Sequence, residues 1–218
     1  KVCFIAGASR GVGRACALAL ARNGVRCFLI ARSVSGLETV ASEVEEAYTG
    51  GGRDFADDRK NRIAQAAAFV AADVMEDAQL RNAVVSCVNT FGRLDFLICN
   101  AGVNRRKQLE NADIEIWDQV VHTNMISAMH LTRLCLPHLA ENPGSAVIYM
   151  SSFAIRNPTE SLYDGIEPYV ASKAGIHAFA QTSFHALSKR GVKVSCINFG
   201  LTATDLGTRK PASGPLAN

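Results

Sequence analysis

Short apolar segments alternate with longer amphipathic segments along almost the whole chain. Segments that are apolar at every position predict strands buried on both faces of a sheet, and the amphipathic segments between them predict helices. This alternation is typical of α/β proteins, in which right-handed crossovers place helices on both faces of a parallel sheet. We therefore predict a single-domain α/β fold with a doubly wound parallel sheet. The predicted strands are residues 2–6, 26–31, 68–72, 94–99, 146–150 and 192–198.

Five helices are predicted between these strands, and two longer connections interrupt the pattern. Residues 49–61 are rich in glycine and charge, which predicts an exposed loop. Residues 153–168 form a long connection, and long loops in compact domains often carry function. The tail after Leu206 is predicted to be irregular. The predicted helices are residues 13–23, 36–47, 78–91, 116–136 and 169–187.

The composition excludes several classes of protein. Of the 218 residues, 48% are hydrophobic and 20% are charged, which excludes a disordered or collagen-like chain. The 23 basic and 20 acidic side chains give a net charge of +3, which provides no general attraction to nucleic acid. No apolar run is long enough to cross a bilayer. We expect one domain over residues 1–218 that acts on a small soluble molecule.

Cysteine and histidine usage argues against disulfides and metal. The seven cysteines are scattered through apolar segments without a C-x-x-C pair, which is typical of reduced thiols in a reducing compartment. The five histidines lack the spacing of zinc ligands, so no metal is expected. The sequence starts on an apolar strand without a methionine, which indicates a trimmed N-terminus. We expect a cytoplasmic protein, and a mitochondrial or plastid location stays open.

A glycine-rich turn links the first predicted strand to the first predicted helix. Its sequence, Gly7-Ala8-Ser9-Arg10-Gly11-Val12-Gly13, spaces the glycines as G-x-x-x-G-x-G. Glycines allow a tight turn and a close approach of the backbone to a pyrophosphate, and the helix N-terminus offers free N–H groups. The turn therefore predicts a dinucleotide site. The contacts expected from it come from Gly7, Ser9, Arg10, Gly11, Val12 and Gly13.

The end of the second predicted strand indicates which dinucleotide is bound. NAD sites place an acid there to bind the ribose 2′-hydroxyl. Here the segment is Ile30-Ala31-Arg32-Ser33, without an acid. A guanidinium holds phosphate through paired hydrogen bonds, so Arg32 and Arg10, with Ser33 beside them, predict the 2′-phosphate of NADP(H). The alternative is that both arginines are solvated surface residues.

A tyrosine and a lysine lie four residues apart near the end of the sequence. Tyr169 and Lys173 fall in a predicted helix, which puts both side chains on one face. Pro168 suits the first turn of such a helix. A free tyrosine has a pKa of about 10, and a nearby cation lowers the pKa of a phenol. Tyr169 is then a suitable acid for carbonyl reduction and a base for the reverse reaction.

Four further motifs join these two, and together they form a recognisable series. In chain order the six are Gly7-x-x-x-Gly11-x-Gly13, Asp73-Val74, Asn100-Ala101-Gly102, Asn124, Ser151-Ser152 and Tyr169-x-x-x-Lys173. In this order, and over nearly the whole chain, they resemble the short-chain dehydrogenase/reductase family. The resemblance implies a Rossmann-like doubly wound sheet. It also implies a homodimer or homotetramer that associates through the two long helices.

The resemblance implies a role for each matching position. Ser152 would hydrogen-bond the substrate carbonyl, and Tyr169 would donate the proton. Lys173 would bind the nicotinamide ribose and lower the pKa of Tyr169, while Asn124 would hold a water that connects Lys173 to solvent. Asn100 would mainly steady the end of its strand. The other cofactor contacts implied are Asp73, Val74, Asn100, Ala101, Gly102, Tyr169, Lys173, Thr202 and Thr204.

Several departures from the family pattern bear on the site. Cys99 stands where many relatives have asparagine, and Phe199 stands where relatives usually have proline. The gap between Ser152 and Tyr169 is longer than usual, so the extra loop is expected beside the active site. The sequence also ends before the last strand and the substrate-covering helices usual in the family. That lid is therefore expected to be missing or unrecognisable.

The segment after the fourth predicted strand indicates a substrate class. Residues 100–105, with Leu109, Trp117 and Thr123-Asn124, resemble 3-oxoacyl-[acyl-carrier-protein] reductases of fatty acid biosynthesis. The basic run Arg105-Arg106-Lys107 suits an acidic acyl carrier protein or a coenzyme A phosphate, or is a solvated loop. The leading hypothesis is NADPH-dependent reduction of a 3-oxoacyl thioester. A general carbonyl, steroid, polyol or quinone reductase, and a non-catalytic NADPH-binding sensor or scaffold, remain alternatives.

Overall fold

A six-stranded parallel sheet forms the centre of the protein. The computed structural model describes residues 1–50, 65–159, 164–200 and 202. Within them the strand order is β3-β2-β1-β4-β5-β6, and every neighbouring pair is parallel. The order reverses between β1 and β4, which confirms the predicted doubly wound fold and opens a crevice at the carboxyl ends of these strands. The strands are β1 (Val2–Ala6), β2 (Arg26–Ala31), β3 (Ala67–Ala71), β4 (Phe96–Cys99), β5 (Ala146–Ser152) and β6 (Lys193–Phe199).

Helices connect the strands, and α2 is longer than predicted. It continues through Gly50, so Thr49 and Gly50 of the predicted 49–61 loop are helical, and the rest of that loop lies outside the described residues. In the part of the chain that the structure describes, no helix is long and apolar enough to cross a membrane. The helices are α1 (Gly11–Arg22), α2 (Val34–Gly50), α3 (Asp77–Phe91), α4 (Ile114–Val121), α5 (Ser127–Ala140) and α6 (Glu167–Ser188).

The prediction of one regular helix over residues 116–136 is wrong in one respect. A π-helical turn, His122–Ile126, joins α4 to α5 without a loop. Such a turn inserts one extra residue into a helix and is frequent at functional sites. Helix α6 approaches this turn closely, because a Cβ added to Gly175 would collide with the sulfur of Met125. The apolar pattern does not reveal the insertion, since the residues on both sides of it are helical.

The core consists of two apolar layers, one on each face of the sheet. Successive residues of a strand point to opposite faces, so Phe4 and Ile5 belong to different layers. Phe4 packs in the layer that α3, α5 and α6 cover, which also contains Leu131 and the fully buried Tyr149. Ile5 packs in the layer under α1 and α2, with Leu37 among its members. The sheet is therefore covered on both faces, as its apolar strands predict.

The seven cysteines are all free thiols, and most are core residues. Five are buried, and Cys16 and Cys196 are partly exposed. Burial raises the pKa of Cys27, Cys87 and Cys99 to about 12. A thiol with so high a pKa carries little thiolate at neutral pH and is a poor nucleophile.

Candidate active site

The glycine turn after β1 brings backbone atoms together where side chains do not fit. Gly7 has a φ of +75°, and a Cβ added there would lie 2.7 Å from the Cα of Ala101. A Cβ on Gly13 would collide with the carbonyl oxygen of Gly7. The side chain of Asn100 donates to that same oxygen at 2.8 Å and ties β4 to the turn. The first turn of α1 is thus held at the crevice, with its N–H groups available to an anion.

A small cleft lies beside this turn, at the ends of β2, β3 and β4. It has a volume of about 90 Å³. Ser9 and Ser33 both approach Gly36, where an added Cβ would lie 2.9 Å from the Cβ of Ser9 and 3.2 Å from the Oγ of Ser33. A larger open groove, of about 670 Å³, lies between α1 and α2 and away from the strand ends. The residues that line the small cleft are Ala31, Arg32, Ala72, Asp73, Val74, Ala101, Gly102, Val103 and Thr123.

The charges of the small cleft come from Arg32 and Asp73. The Nη1 of Arg32 lies 3.9 Å from the Oδ2 of Asp73, and the arginine side chain is 57% exposed. The other carboxylate oxygen of Asp73 accepts the backbone N–H of Met75 at 3.0 Å, which fixes the acid in place. Arg10, the second expected cation, is exposed at the start of α1. Arg32 therefore stays close to solvent, where it can turn from the acid to an incoming phosphate.

Tyr169 and Lys173 lie on the first turns of α6, and Pro168 lies in its first turn, as predicted. The Nζ of Lys173 is 5.7 Å from the centre of the Tyr169 ring. Lys173 is only 5% exposed, and its Nζ donates to the carbonyl oxygen of Met150 at 2.8 Å. Burial lowers the pKa of Lys173 to about 8. The amine is thus charged at neutral pH and close to giving up a proton.

Ser152 ends β5 with its hydroxyl beside Tyr169. Its Oγ accepts the backbone N–H of Ala154 at 3.2 Å, so its own hydrogen is left to donate elsewhere. Burial is the largest influence on Tyr169 and raises the pKa of the phenol, and a hydrogen bond with Ser152 partly opposes this. Lys173 is not among the causes of the shift, so the expected lowering of the Tyr169 pKa is not seen in this structure. The phenol is protonated at neutral pH and can act as an acid.

Asn124 lies in the π-helical turn and joins three parts of the site. Its Oδ1 accepts the N–H of Val103 at 2.7 Å, and its Nδ2 donates to the carbonyl oxygen of Val103 at 2.9 Å. The Nδ2 also donates to the Oγ of Ser172 at 3.0 Å, and Ser172 donates to the carbonyl oxygen of Tyr169 at 2.7 Å. Both amide hydrogens of Asn124 are thereby used. A water near Lys173 must therefore accept its hydrogen bond from a donor other than this amide nitrogen.

Ser172 and Gly175 are site residues that the sequence reasoning missed. Ser172 connects Asn124 to the backbone of Tyr169 by hydrogen bonds. Gly175 has no side chain, which leaves space for Met125 of the π-helical turn. A glycine inside a predicted helix is the signal for Gly175, because it costs stability unless a close approach requires it. Ser151, treated above only as the neighbour of Ser152, donates to the carbonyl oxygen of Lys173 at 2.8 Å and ties β5 to α6.

Of the last two expected cofactor contacts, the structure describes Thr202 and not Thr204. Thr202 is exposed, and its hydroxyl donates to the carbonyl oxygen of Gly200 at 3.1 Å. Thr204 lies outside the described residues. Phe199, which replaces the usual proline, packs partly buried against the core layer under α1 and α2.

The basic run lies on the loop between β4 and α4, at the expected edge of the sheet. Lys107 forms an ion pair with Asp113 at 2.7 Å. Arg106 donates from its Nη1 to the carbonyl oxygen of Asp164 at 2.6 Å, and Arg105 donates to the carbonyl oxygen of Asn104 at 3.2 Å. Lys107 is thus paired with an acid, and Arg105 and Arg106 each donate to a backbone carbonyl group.

Known proteins resemble the chain over nearly its whole length. The model of the short chain dehydrogenase family matches residues 1–213. A 3-oxoacyl-[acyl-carrier-protein] reductase FabG of Staphylococcus aureus is 29% identical over 209 residues, which cover 94% of this chain and 76% of that protein. An uncharacterized oxidoreductase of Staphylococcus epidermidis is 26% identical over 216 residues, which cover 96% and 84%.

Two solved structures share the fold closely. L-sorbose reductase from Gluconobacter frateurii, complexed with NADPH and L-sorbose, superimposes with a TM-score of 0.80 at 28% identity, over 94% of this chain and 70% of that one. A variant of actinorhodin polyketide ketoreductase with NADPH gives a TM-score of 0.80 at 25% identity, over 94% and 71%. Since the family model matches almost every residue and the fold agrees, the chain is an oxidoreductase of the short-chain dehydrogenase family.

Proposed function

We propose that this protein reduces a carbonyl group to an alcohol with NADPH, and that its substrate is a 3-oxoacyl thioester. The observation that carries the proposal is the grouping of Ser152, Tyr169 and Lys173. A protonated phenol lies beside a serine hydroxyl that has a hydrogen to donate, and a buried ammonium lies 5.7 Å from the phenol ring. This is the set of groups that adding a proton to a carbonyl oxygen requires.

The residues of the chain divide the work of the reaction. A nicotinamide cofactor, when bound, supplies the hydride that adds to the carbonyl carbon. Ser152 donates a hydrogen bond to the carbonyl oxygen and orients it. Tyr169 donates its proton to that oxygen, which completes the alcohol. The Nζ of Lys173 donates to Met150 in this structure. In the proposed reaction it moves closer to Tyr169 as the proton leaves, because an opposite charge nearby favours the ionised form. Asn124 fixes the position of helix α6 relative to the loop after β4, which border these groups.

The choice of NADP(H) rests on the charge at the small cleft. Gly7 and Gly13 leave the room that a pyrophosphate needs beside the first turn of α1. Arg32 and Arg10 then offer two guanidinium groups to the 2′-phosphate, and the end of β2 carries no acid for a ribose hydroxyl. The two solved relatives described above were both obtained with NADPH. Asp73 and Val74 would border the adenine, and Ala101 and Gly102 the ribose.

The thioester substrate rests on the reductase relatives and on the basic loop. The FabG relative acts on 3-oxoacyl groups by its name, and the basic run Arg105-Arg106-Lys107 suits the phosphate of coenzyme A or an acidic acyl carrier protein. The 28% identity with L-sorbose reductase favours a small carbonyl compound, whose reduction would give a polyol, as the second candidate substrate. A homodimer or homotetramer is part of the proposal, as the family resemblance implies.

The test measures NADPH oxidation with acetoacetyl-CoA as substrate, beside L-sorbose and NADH arms. We expect turnover with acetoacetyl-CoA and NADPH, and its loss in Tyr169→Phe with NADPH binding retained. Turnover with L-sorbose alone would move the substrate to the second candidate. Tight NADPH binding without turnover of any carbonyl compound would overturn the proposal and support a sensor or scaffold.

A further inference from the structure

Two loops that border the active site are joined by a pair of hydrogen bonds. The backbone N–H of Lys107 donates to the carbonyl oxygen of Gly165 at 2.8 Å. The guanidinium of Arg106 donates to the carbonyl oxygen of Asp164 at 2.6 Å. We call these four residues, Arg106, Lys107, Asp164 and Gly165, the loop clamp. It connects the loop after β4 to the turn that leads into α6.

The contact at Gly165 is close and depends on glycine. Gly165 is buried and has a φ of +77°. A Cβ added there would lie 3.1 Å from the carbonyl oxygen of Lys107 and 3.2 Å from its carbonyl carbon. These neighbours are backbone atoms, which cannot move aside as a side chain can. Any side chain at position 165 must therefore move the two loops apart by a few tenths of an ångström, in addition to the strain of the positive φ.

The loop after β4 is held to α6 at its other end as well. Val103 is bound to Asn124, which is bound in turn to Ser172 of α6. A Cβ on Gly102 would lie only 3.5 Å from the Nζ of Lys173. The short segment from Gly102 to Lys107 thus runs from Lys173 to the turn before the helix. The first turns of α6, which carry Tyr169, are fixed on both sides by one loop.

Glu167 links the loop clamp to helix α6. Its Oε1 accepts the backbone N–H of Gly165 at 3.0 Å, and Glu167 is the first residue of α6. An acid in the first turn of a helix is also favourable in the field of the helix dipole. A shift at Gly165 is therefore transmitted to the turn that holds Tyr169.

We infer that the loop clamp positions Tyr169, and that Gly165 and Arg106 are positioning residues for the proton transfer. The inference rests on the proposed reductase function, which gives Tyr169 its role. Neither residue touches the reacting atoms. A displacement of about 1 Å at a catalytic group can cost about 100-fold in rate. Loss of the clamp therefore acts mainly on kcat, because none of the four clamp residues lines the small cleft at the ends of β2, β3 and β4.

The first test compares Gly165→Ala with Gly191→Ala. Gly191 has a φ of +74° and nothing within 4 Å of its added Cβ, so its variant carries the same backbone strain without the contact. We expect kcat to fall by about tenfold or more in Gly165→Ala, and to stay within twofold of the parent in Gly191→Ala. NADPH affinity should be equal in both. Equal kcat values for the two variants would overturn the inference.

The second test removes the side-chain half of the clamp. Arg106→Met loses the donor to Asp164, and Arg106→Lys keeps a single positively charged donor on a long stem. We expect a lower kcat in Arg106→Met and partial recovery in Arg106→Lys. Should both variants keep the parent kcat, the side chain of Arg106 has no positioning role.

Hydrogen exchange separates failure of the clamp from failure of the proposed function. The amides of residues 170–173, the first of which donates to Ile166, should exchange faster in Gly165→Ala than in Gly191→Ala, because the start of α6 opens more easily when it is released. This measurement needs no substrate. If the parent protein reduces no carbonyl compound, the proposed function fails and the exchange rates still decide the clamp. Unchanged exchange in Gly165→Ala would refute it.

Discussion

The side-chain amide of Asn124 and the backbone of Val103 exchange two hydrogen bonds, at 2.7 and 2.9 Å. The bond pattern resembles that between neighbouring strands, although one partner is a side chain in a helix. It fixes the loop after β4 against the π-helical turn. Because Asn124 also binds Ser172, one buried amide sets the distance between this loop and α6.

Asn124→Asp should therefore weaken both the fold and the reaction. The acid keeps an acceptor for the N–H of Val103 but loses both donors, and it places a carboxylate in a buried position. We expect a loss of about 2 kcal/mol or more in the free energy of unfolding. Urea unfolding measures this loss, with Asn82→Asp on the exposed face of α3 as the control. Equal stability of the two variants would contradict the prediction.

Lys173→Met should change how stability depends on pH. The pKa of Lys173 is about 8 in the folded protein and 10.5 as a free group, so the unfolded chain binds more protons between these pH values. The contribution of Lys173 to stability therefore rises with pH through this window and is constant and lowest below pH 8. At pH 7 the parent bears the cost of burying a charged lysine, and Lys173→Met does not. The parent loses this cost as the pH rises, so the free energy of unfolding of the variant relative to that of the parent should fall by about 3 kcal/mol between pH 7 and pH 10.5.

Urea unfolding of the parent and Lys173→Met at both pH values checks this slope. The buried cysteines and Tyr149 are common to both proteins and cancel in the difference. Lys189→Met, at the exposed end of α6, provides the control for losing a lysine. A difference between parent and Lys173→Met that does not change with pH would exclude a buried, charged Lys173.

Ser152→Ala should lower kcat and move the pH profile. Removing one hydrogen-bond donor to a developing oxyanion costs about 100-fold in comparable sites. The hydrogen bond of Ser152 lowers the pKa of Tyr169, so its loss should raise that pKa further. In the direction of alcohol oxidation, where Tyr169 acts as base, the rising limb of the profile should shift to higher pH. A profile that stays in place while kcat falls would limit Ser152 to binding the substrate.

Arg32→Gln should weaken NADPH binding selectively. Loss of a charged hydrogen bond to phosphate costs about tenfold or more in affinity, and the exposure of Arg32 makes this effect smaller at high salt. Binding of NADH, which lacks the 2′-phosphate, should change little. Fluorescence titration with both cofactors measures the ratio, with Arg22→Gln at the exposed end of α1 as the control. An equal loss for both cofactors would rule out contact between Arg32 and the 2′-phosphate.

The sheet was predictable from the sequence because its strands are apolar at every position. A segment such as Val2–Ala6 is buried on both faces, so it must lie inside a sheet with helices on either side. The five helices that alternate with the strands then favour parallel neighbouring strands. The ends of the strands differ from prediction by up to two residues, as with β5, which continues to Ser152. These ends are decided by hydrogen bonds with neighbours that are distant in the sequence.

The candidate site was predictable where local spacing decides it. Tyr169 and Lys173 share a face because they are four residues apart on a helix. The donation from Lys173 to Met150 and the use of both hydrogens of Asn124 were not predictable, because each depends on tertiary contacts across many residues. The raised pKa of Tyr169 also depends on burial, which a motif does not encode.

The π-helical turn gives one continuous helical segment two rotational phases. Each residue of an α-helix turns the next by about 100°, so one inserted residue rotates α4 against α5 by about that angle. The buried face of α4, which carries Val120, is therefore rotated about the helix axis relative to the buried face of α5, which carries Leu131 and Leu139. Deleting a single residue from His122–Ile126 would restore a regular helix and turn Asn124 away from Val103. The irregular turn is thus a rotational offset between two halves of one helical segment. It lets α5 pack in the core while Asn124 faces the loop after β4.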